Sequence, residues 1–320
     1  MNYFIKACFI LLLPCFIINV SAQINNRDFT AFDAYVKSIG PLDNMTMGTI
    51  NNVVSNKFID NVDKARAIYY WITHNIKYDI KAARTNNIVK NTPTEVLLYR
   101  KAVGIGFASL FQDMCSSANI RCLVVDGFIK NNINQIGENS TEINHSWAVV
   151  QLGQSSETWH YVDPALGSGF ADADMKIFTT YYTDAYFFSE KATFNLQHYP
   201  DNEAWKLGID QKNKNDFFKM PIVKVAAMEW GLTKLYPHYG KIKANVNKAV
   251  KFSFNLTSNA DILKVELGIG EKKKYKVSEI KYIQLAGVLS FTYTFEQENA
   301  YPVTVLINGK ELVSYYVEVE

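Results

Sequence analysis

The stretch from Tyr99 to Phe128, YRKAVGIGFASLFQDMCSSANIRCLVVDGF, constrains this chain more than any other. Two basic residues lead into a loop carrying Gly104 and Gly106. Apolar Phe107, Leu110, Phe111 and Met114 then recur at intervals of three and four, which predicts a helix. The run turns through Ser116–Asn119 into an apolar strand, Cys122–Val125, that ends on Asp126-Gly127. A loop feeding a helix and then a strand sets the first helical residue at the positive helix end, where a thiolate would be stabilised.

Two later segments supply partners for such a site. Asn144-His145-Ser146-Trp147 enters the apolar run Ala148–Leu152, and Tyr161-Val162-Asp163-Pro164 closes the run Thr158–Val162. Gly153–Glu157 between them reads as a hairpin connection. His145 then starts one strand and Asp163 ends its antiparallel neighbour, so the two lie close enough to form a His–Asp dyad. A histidine alone would read as an ordinary satisfied side chain; Trp147 and Asp163 in this order favour the dyad. The polar segment between Phe128 and Ile143 reads as a loop bordering a cleft.

These landmarks resemble the transglutaminase-like superfamily, particularly its kyphoscoliosis-peptidase-like branch. That family carries Arg-Lys-Gly-Val-Cys-x-Gly-Tyr-Ala-x-Leu-Phe, then a His-x-Trp strand and a Val-Asp-Pro strand. Here the first motif reads Arg100-Lys101-Ala102-Val103-Gly104-Ile105-Gly106-Phe107-Ala108-Ser109-Leu110-Phe111. Two further stretches are similar to the family: Lys64–Asp79, KARAIYYWITHNIKYD, and the aromatic segment from Tyr186 through His198-Tyr199-Pro200 to Trp205. The resemblance implies an α+β fold: a transglutaminase/papain-like domain of helices packed on an antiparallel sheet, followed by a β-sandwich domain. It also implies that Gly104 stands where the family has its nucleophilic cysteine.

Sites of this kind work because a His-activated thiolate attacks an amide carbonyl. Glycine offers no such group, so the chain reads as a pseudoenzyme. His145 and Asp163 would be a remnant dyad. A cleft lined by Gly104, His145, Trp147 and Asp163 would hold a peptide or protein ligand at the cell envelope. The alternative is an acyl-transfer enzyme with a substitute nucleophile. Cys115, eleven residues beyond Gly104, returns to nearly the same helix face but about 16 Å further along the axis, and Ser109 points about 140° away. A third reading keeps the domain as a spacer for the sandwich. His198 is expected to pack rather than react, and His74 reads as a surface histidine at a helix end.

The rest of the chain fits an exported two-domain protein. Lys6, the apolar Ala7–Ile18 and the small residues Val20-Ser21-Ala22 read as a signal peptide over 1–22, implying secretion and no membrane span after its removal. The transglutaminase-like domain is expected over 23–210 and a connecting segment, with a short helix around Val223–Leu235, over 211–240. A β-sandwich over 241–320 follows from six short strand-like runs and the hairpin signal Asn308-Gly309. A formal charge of +2 argues against a nucleic-acid partner. Cys115 and Cys122 read as two buried thiols, and no local metal-binding motif or cofactor signature is present, so neither metal nor cofactor is expected.

Overall fold

The computed structural model describes residues 27–85, 92–209, 212–270 and 274–320. The expected leader over 1–22 lies outside the described residues. The first described helix, α1 (Thr30–Ile39), ends at Gly40 with φ 68°. A second, α2 (Met47–Ser55), starts where Thr46 accepts a hydrogen bond from the Thr49 N–H. Helix α3 (Asn61–Asn75) is capped by Asp60, and Ala65, Ile68, Tyr69, Ile72 and Ile76 form its buried stripe. Arg66 of α3 is also buried. It makes a two-pronged bond to Asp33 of α1, at 2.9 and 2.6 Å, which ties the two helices. Thr92 and Glu95 form a capping box for α4 (Pro93–Tyr99), which delivers the chain to the central loop.

That loop opens α5 (Gly104–Ser117), whose Phe107, Leu110, Phe111 and Met114 are fully buried. The strands around it are β1 (Arg121–Phe128), β2 (His145–Gln151), β3 (Trp159–Val162), then β4 (Gly169–Ala171), β5 (Phe178–Thr180), β6 (Phe187–Ser189) and β7 (Tyr199–Pro200). Five of them form an antiparallel sheet in the order β6-β3-β2-β1-β7, while β4 and β5 make a separate hairpin. Side chains alternate across a strand. Cys122 of β1 therefore faces α5, where it meets Cys115. Trp147 and Tyr161 face the other way, against Phe194 of α7 (Lys191–Gln197). The sheet is thus covered on both sides, and its core is continuous with the helices.

The sandwich begins earlier than expected. The segment 211–240 contains α8 (Lys214–Lys219), β8 (Ile222–Val223), α9 (Val225–Glu229) and β9 (Leu232–Tyr236). Both strands belong to the sandwich: β8 pairs with the last strand and β9 pairs with the strand at 249–256. The helix expected around Val223–Leu235 is only five residues long. Gly231, at φ 60°, ends it, and Leu232 and Leu235 both turn inward as strand residues because a bulge between Leu232 and Lys234 resets the alternation. The remaining strands are β10 (Lys241–Ala244), β11 (Ala249–Leu256), β12 (Val265–Ile269), β13 (Lys276–Glu279), β14 (Ile283–Leu285), β15 (Val288–Thr294), β16 (Asn299–Ile307) and β17 (Lys310–Val319). One sheet runs β8-β17-β16-β12-β13 with β10 also on β17, and the other runs β9-β11-β15-β14. Asn308 and Gly309, both at positive φ, form the two-residue turn between β16 and β17.

Candidate functional site

Three elements meet where β2 begins. His145 is the first residue of β2, Asp163 follows β3, and Gly104 is the first residue of α5. His145 Nε2 lies 2.6 Å from Asp163 Oδ2, so the expected pair is formed. Gly104 presents its face to the same imidazole: a Cβ built there would sit 2.8 Å from His145 Nδ1 and 3.3 Å from the Ser146 nitrogen. The two ring nitrogens are therefore divided between Asp163 and residue 104. Gly104 is not among the residues at positive φ, so its backbone is open to any side chain.

Asp163 is held from every side. Its Oδ1 accepts the backbone N–H groups of Ala165 and Leu166, both at 3.0 Å, and so caps the short helix α6 (Pro164–Gly167). Its Oδ2 takes His145 and, unexpectedly, His198, whose Nε2 is 3.0 Å away. Burial alone would raise the Asp163 carboxyl. The His145 charge and hydrogen bond, followed by the contacts with His198, outweigh it and hold the group well below the usual carboxylate range. Burial pulls the His198 imidazole below its ordinary value, against the opposing pull of Asp163 and the Phe194 carbonyl.

The sequence marked His198 for packing alone, and it does pack: its ring stacks on Phe194 at 3.7 Å and meets Trp147 edge-on at 5.1 Å. Its bond to Asp163 was missed because it depends on where α7 ends relative to the sheet. The signal within the chain was the match of His198-Tyr199-Pro200 to the family pattern. Trp147 stacks beside His145 at 6.3 Å. Gly127, opposite His145 in the β1–β2 register, is required here, since a Cβ would lie 2.6 Å from Trp147 Cη2 and run into the Tyr199 carbonyl. Tyr78 flanks the cluster, its ring stacked on Phe178 of β5 at 4.9 Å. Burial, with Asp163 next in weight, raises its phenol to about 12.

The cleft expected from the sequence is closed in this structure. Trp147 and Asp163 are completely buried and His145 is only 6% exposed, so Trp147 and Asp163 support His145 from behind instead of lining an open surface. The loop 129–144 touches the segment between β4 and β5 where the Asn132 side chain donates to the Ala173 carbonyl at 3.1 Å. Asn144 pinches the loop's base through bonds of 2.9 and 3.0 Å to Ile129. Cys115 and Cys122 are free and buried, and burial followed by the Cys122 contact pushes the Cys115 thiol well up. Cys115 sits in the last turn of α5, at the opposite end from Gly104, so it cannot reach His145.

The sequence carried no local metal motif, yet folding brings ligand atoms of His145, Asp163 and His198 within 4.8 Å of one another. The contacts of 2.6 and 3.0 Å are hydrogen-bond lengths with a proton between each pair of atoms. A metal there would have to displace both protons and spread the three groups.

Residues 49–164, which span α3, the Gly104 loop, the β2 histidine and Asp163, match the transglutaminase-like superfamily. The chain carries a transglutaminase-like domain. Its similarity to the kyphoscoliosis peptidases extends further. It is 32% identical to the kyphoscoliosis peptidase of Mus musculus over 204 residues, covering 62% of this chain and 30% of that protein. Against the Homo sapiens kyphoscoliosis peptidase it is 30% identical over 233 residues, covering 72% and 34%. The Lim and transglutaminase domain protein ltd-1 of Caenorhabditis elegans is 29% identical over 184 residues, covering 54% and 25%. The chain thus spans about a third or less of the length of these relatives. Among the described residues, no helix is long and apolar enough to cross a membrane.

Proposed function

We propose that this chain is a catalytically silent member of its branch, exported to the cell envelope, where the transglutaminase-like domain binds or scaffolds a peptide or protein ligand. The observation that carries the reading is Gly104. The residue faces His145 Nδ1, the atom that would take a nucleophile's proton, and it has no group to surrender. Cys115 and Cys122 offer no replacement, being buried and, for Cys115, resistant to ionisation. The ligand would approach His145 between the loop 129–144 and the β4–β5 hairpin, where Ile143 and Ile177 are exposed. Export rests on the leader-like sequence at 1–22.

Two assays test this. The mature chain is expected to show neither amine incorporation nor cleavage of casein; either activity, abolished by iodoacetamide, would overturn the reading. A pull-down from envelope extract with the wild-type chain should recover a ligand that is lost on substituting exposed rim residues such as Ile143→Asp. Equal recovery by both chains would place binding elsewhere, for instance on the sandwich.

A further inference from the structure

We propose that His198 is a positioning residue for the site, acting through Asp163 to fix which nitrogen of His145 carries the proton. The argument starts from the carboxylate. Asp163 is fully buried, and both Oδ1 lone pairs are used by Ala165 and Leu166. Oδ2 also has two acceptor positions, and it has two imidazole partners, His145 Nε2 at 2.6 Å and His198 Nε2 at 3.0 Å. An ionised carboxylate only accepts, so each imidazole must present Nε2–H to it. With a single ring proton, His145 then keeps Nδ1 as a bare lone pair aimed at residue 104. That is the base form of the ring.

His198 makes two polar contacts, and the one to Asp163 is the shorter: Nδ1 lies 3.3 Å from the Phe194 carbonyl, which can only accept. Its ring is locked by the stack on Phe194 and the edge of Trp147, so it cannot turn away. Removing His198 leaves one acceptor position of a buried carboxylate empty. The carboxylate is then free to rotate on its remaining partners, and His145 loses the arrangement that admits a single tautomer. The titratable groups of and around this cluster are Asp163, His145 and His198 themselves, with Tyr78, Tyr186 and Tyr69 nearby.

The test is nitrogen NMR of the imidazoles in the full chain labelled with 15N-histidine. In the wild type, His145 and His198 should both show a protonated Nε2, and His145 an unprotonated Nδ1. In His198→Phe, which keeps the stack but not the donor, His145 should become a mixture of tautomers, and His198→Gln, which returns an N–H donor, should restore the single form. A single unchanged His145 tautomer in a folded His198→Phe chain would reduce His198 to packing and overturn the proposal. A wild-type spectrum with His198 unprotonated at Nε2 would overturn it without any variant. So would zinc chloride removing both Nε2–H signals while raising Tm, which would make the cluster a metal site.

Discussion

The two halves of this molecule treat buried polarity in opposite ways. Within the transglutaminase-like half, the described core takes in Asp63, Arg66, Lys130, His145, His160, Asp163 and His198, all nearly or wholly buried. Within the sandwich, the buried polar residues described are Thr304 and Ser314, whose hydroxyls bond each other at 2.8 Å across β16 and β17. The rest of its core is Phe252, Phe254, Leu267, Leu289, Val305, Tyr315 and their neighbours. Buried charges are costly unless fully paired, and hydrophobic replacements of similar shape are often as stable. A fold built only for stability would resemble the sandwich. The transglutaminase-like half instead keeps buried titratable groups, His145, Asp163 and His198 among them, beside residue 104.

The contrast can be broken experimentally. The largest effect is expected from Asp163→Ala, which strips the acceptor from four donors at once and should cost about 3–5 kcal/mol in urea unfolding. A loss below about 1 kcal/mol would mean the hub is ornamental. Next comes acid sensitivity. His160 is buried with its Nε2 unpartnered, and burial, with Lys191 second, pulls its pKa from 6.5 to about 4. The unfolded chain therefore binds this proton more readily. The contribution to stability is complete above the unfolded value and is lost as pH falls from about 6.5 through about 4, by up to about 3 kcal/mol. A His160→Phe chain should lack that part of the acid loss, and identical pH profiles for the two chains would refute the assignment.

Smaller effects are expected in the sandwich. Gly309→Ala places a Cβ in open space but at φ 79°, so only backbone strain opposes it, at about 1–2 kcal/mol. Replacing both members of the hydroxyl pair, Thr304→Val with Ser314→Ala, leaves neither group unpaired and should change stability by less than about 1 kcal/mol. If the double replacement cost as much as Asp163→Ala, the distinction between the two halves would fail.

Much of this was legible along the chain because it is local. The period of Phe107, Leu110, Phe111 and Met114 marked α5, and Asn308-Gly309 marked the last hairpin. His145 and Asp163 were readable because one hairpin joins their strands. The rest depended on distant packing. β8 and β9 look like a connection until β17 and β11 are present to pair with them, and β14 is short and exposed. His198 meets Asp163 across 35 residues of chain, so no local pattern distinguishes its role from that of an aromatic filler. The burial of Trp147 and Asp163 was equally hidden, since it depends on side chains brought in from distant parts of the chain, His198 among them.

The central claim is that residue 104 occupies the nucleophile's position beside a base that still works, and Gly104→Cys tests it directly. The ideal Cβ lies 2.8 Å from His145 Nδ1 and 3.1 Å from Cε1, so the imidazole, held by Asp163, must shift by several tenths of an ångström to admit it, and the stability of the variant is measured alongside. The measurement is the rate of iodoacetamide reaction at neutral pH, with His145→Ala in the same background as control and the buried Cys115 and Cys122 as slow internal references. A thiol at the helix start beside His145 should ionise below the free-cysteine value of about 8.5 and react about tenfold faster at pH 7 than the control. A rate equal to that of a free cysteine and indifferent to His145 would contradict the claim, leaving the domain a spacer whose chemistry ended with more than its nucleophile.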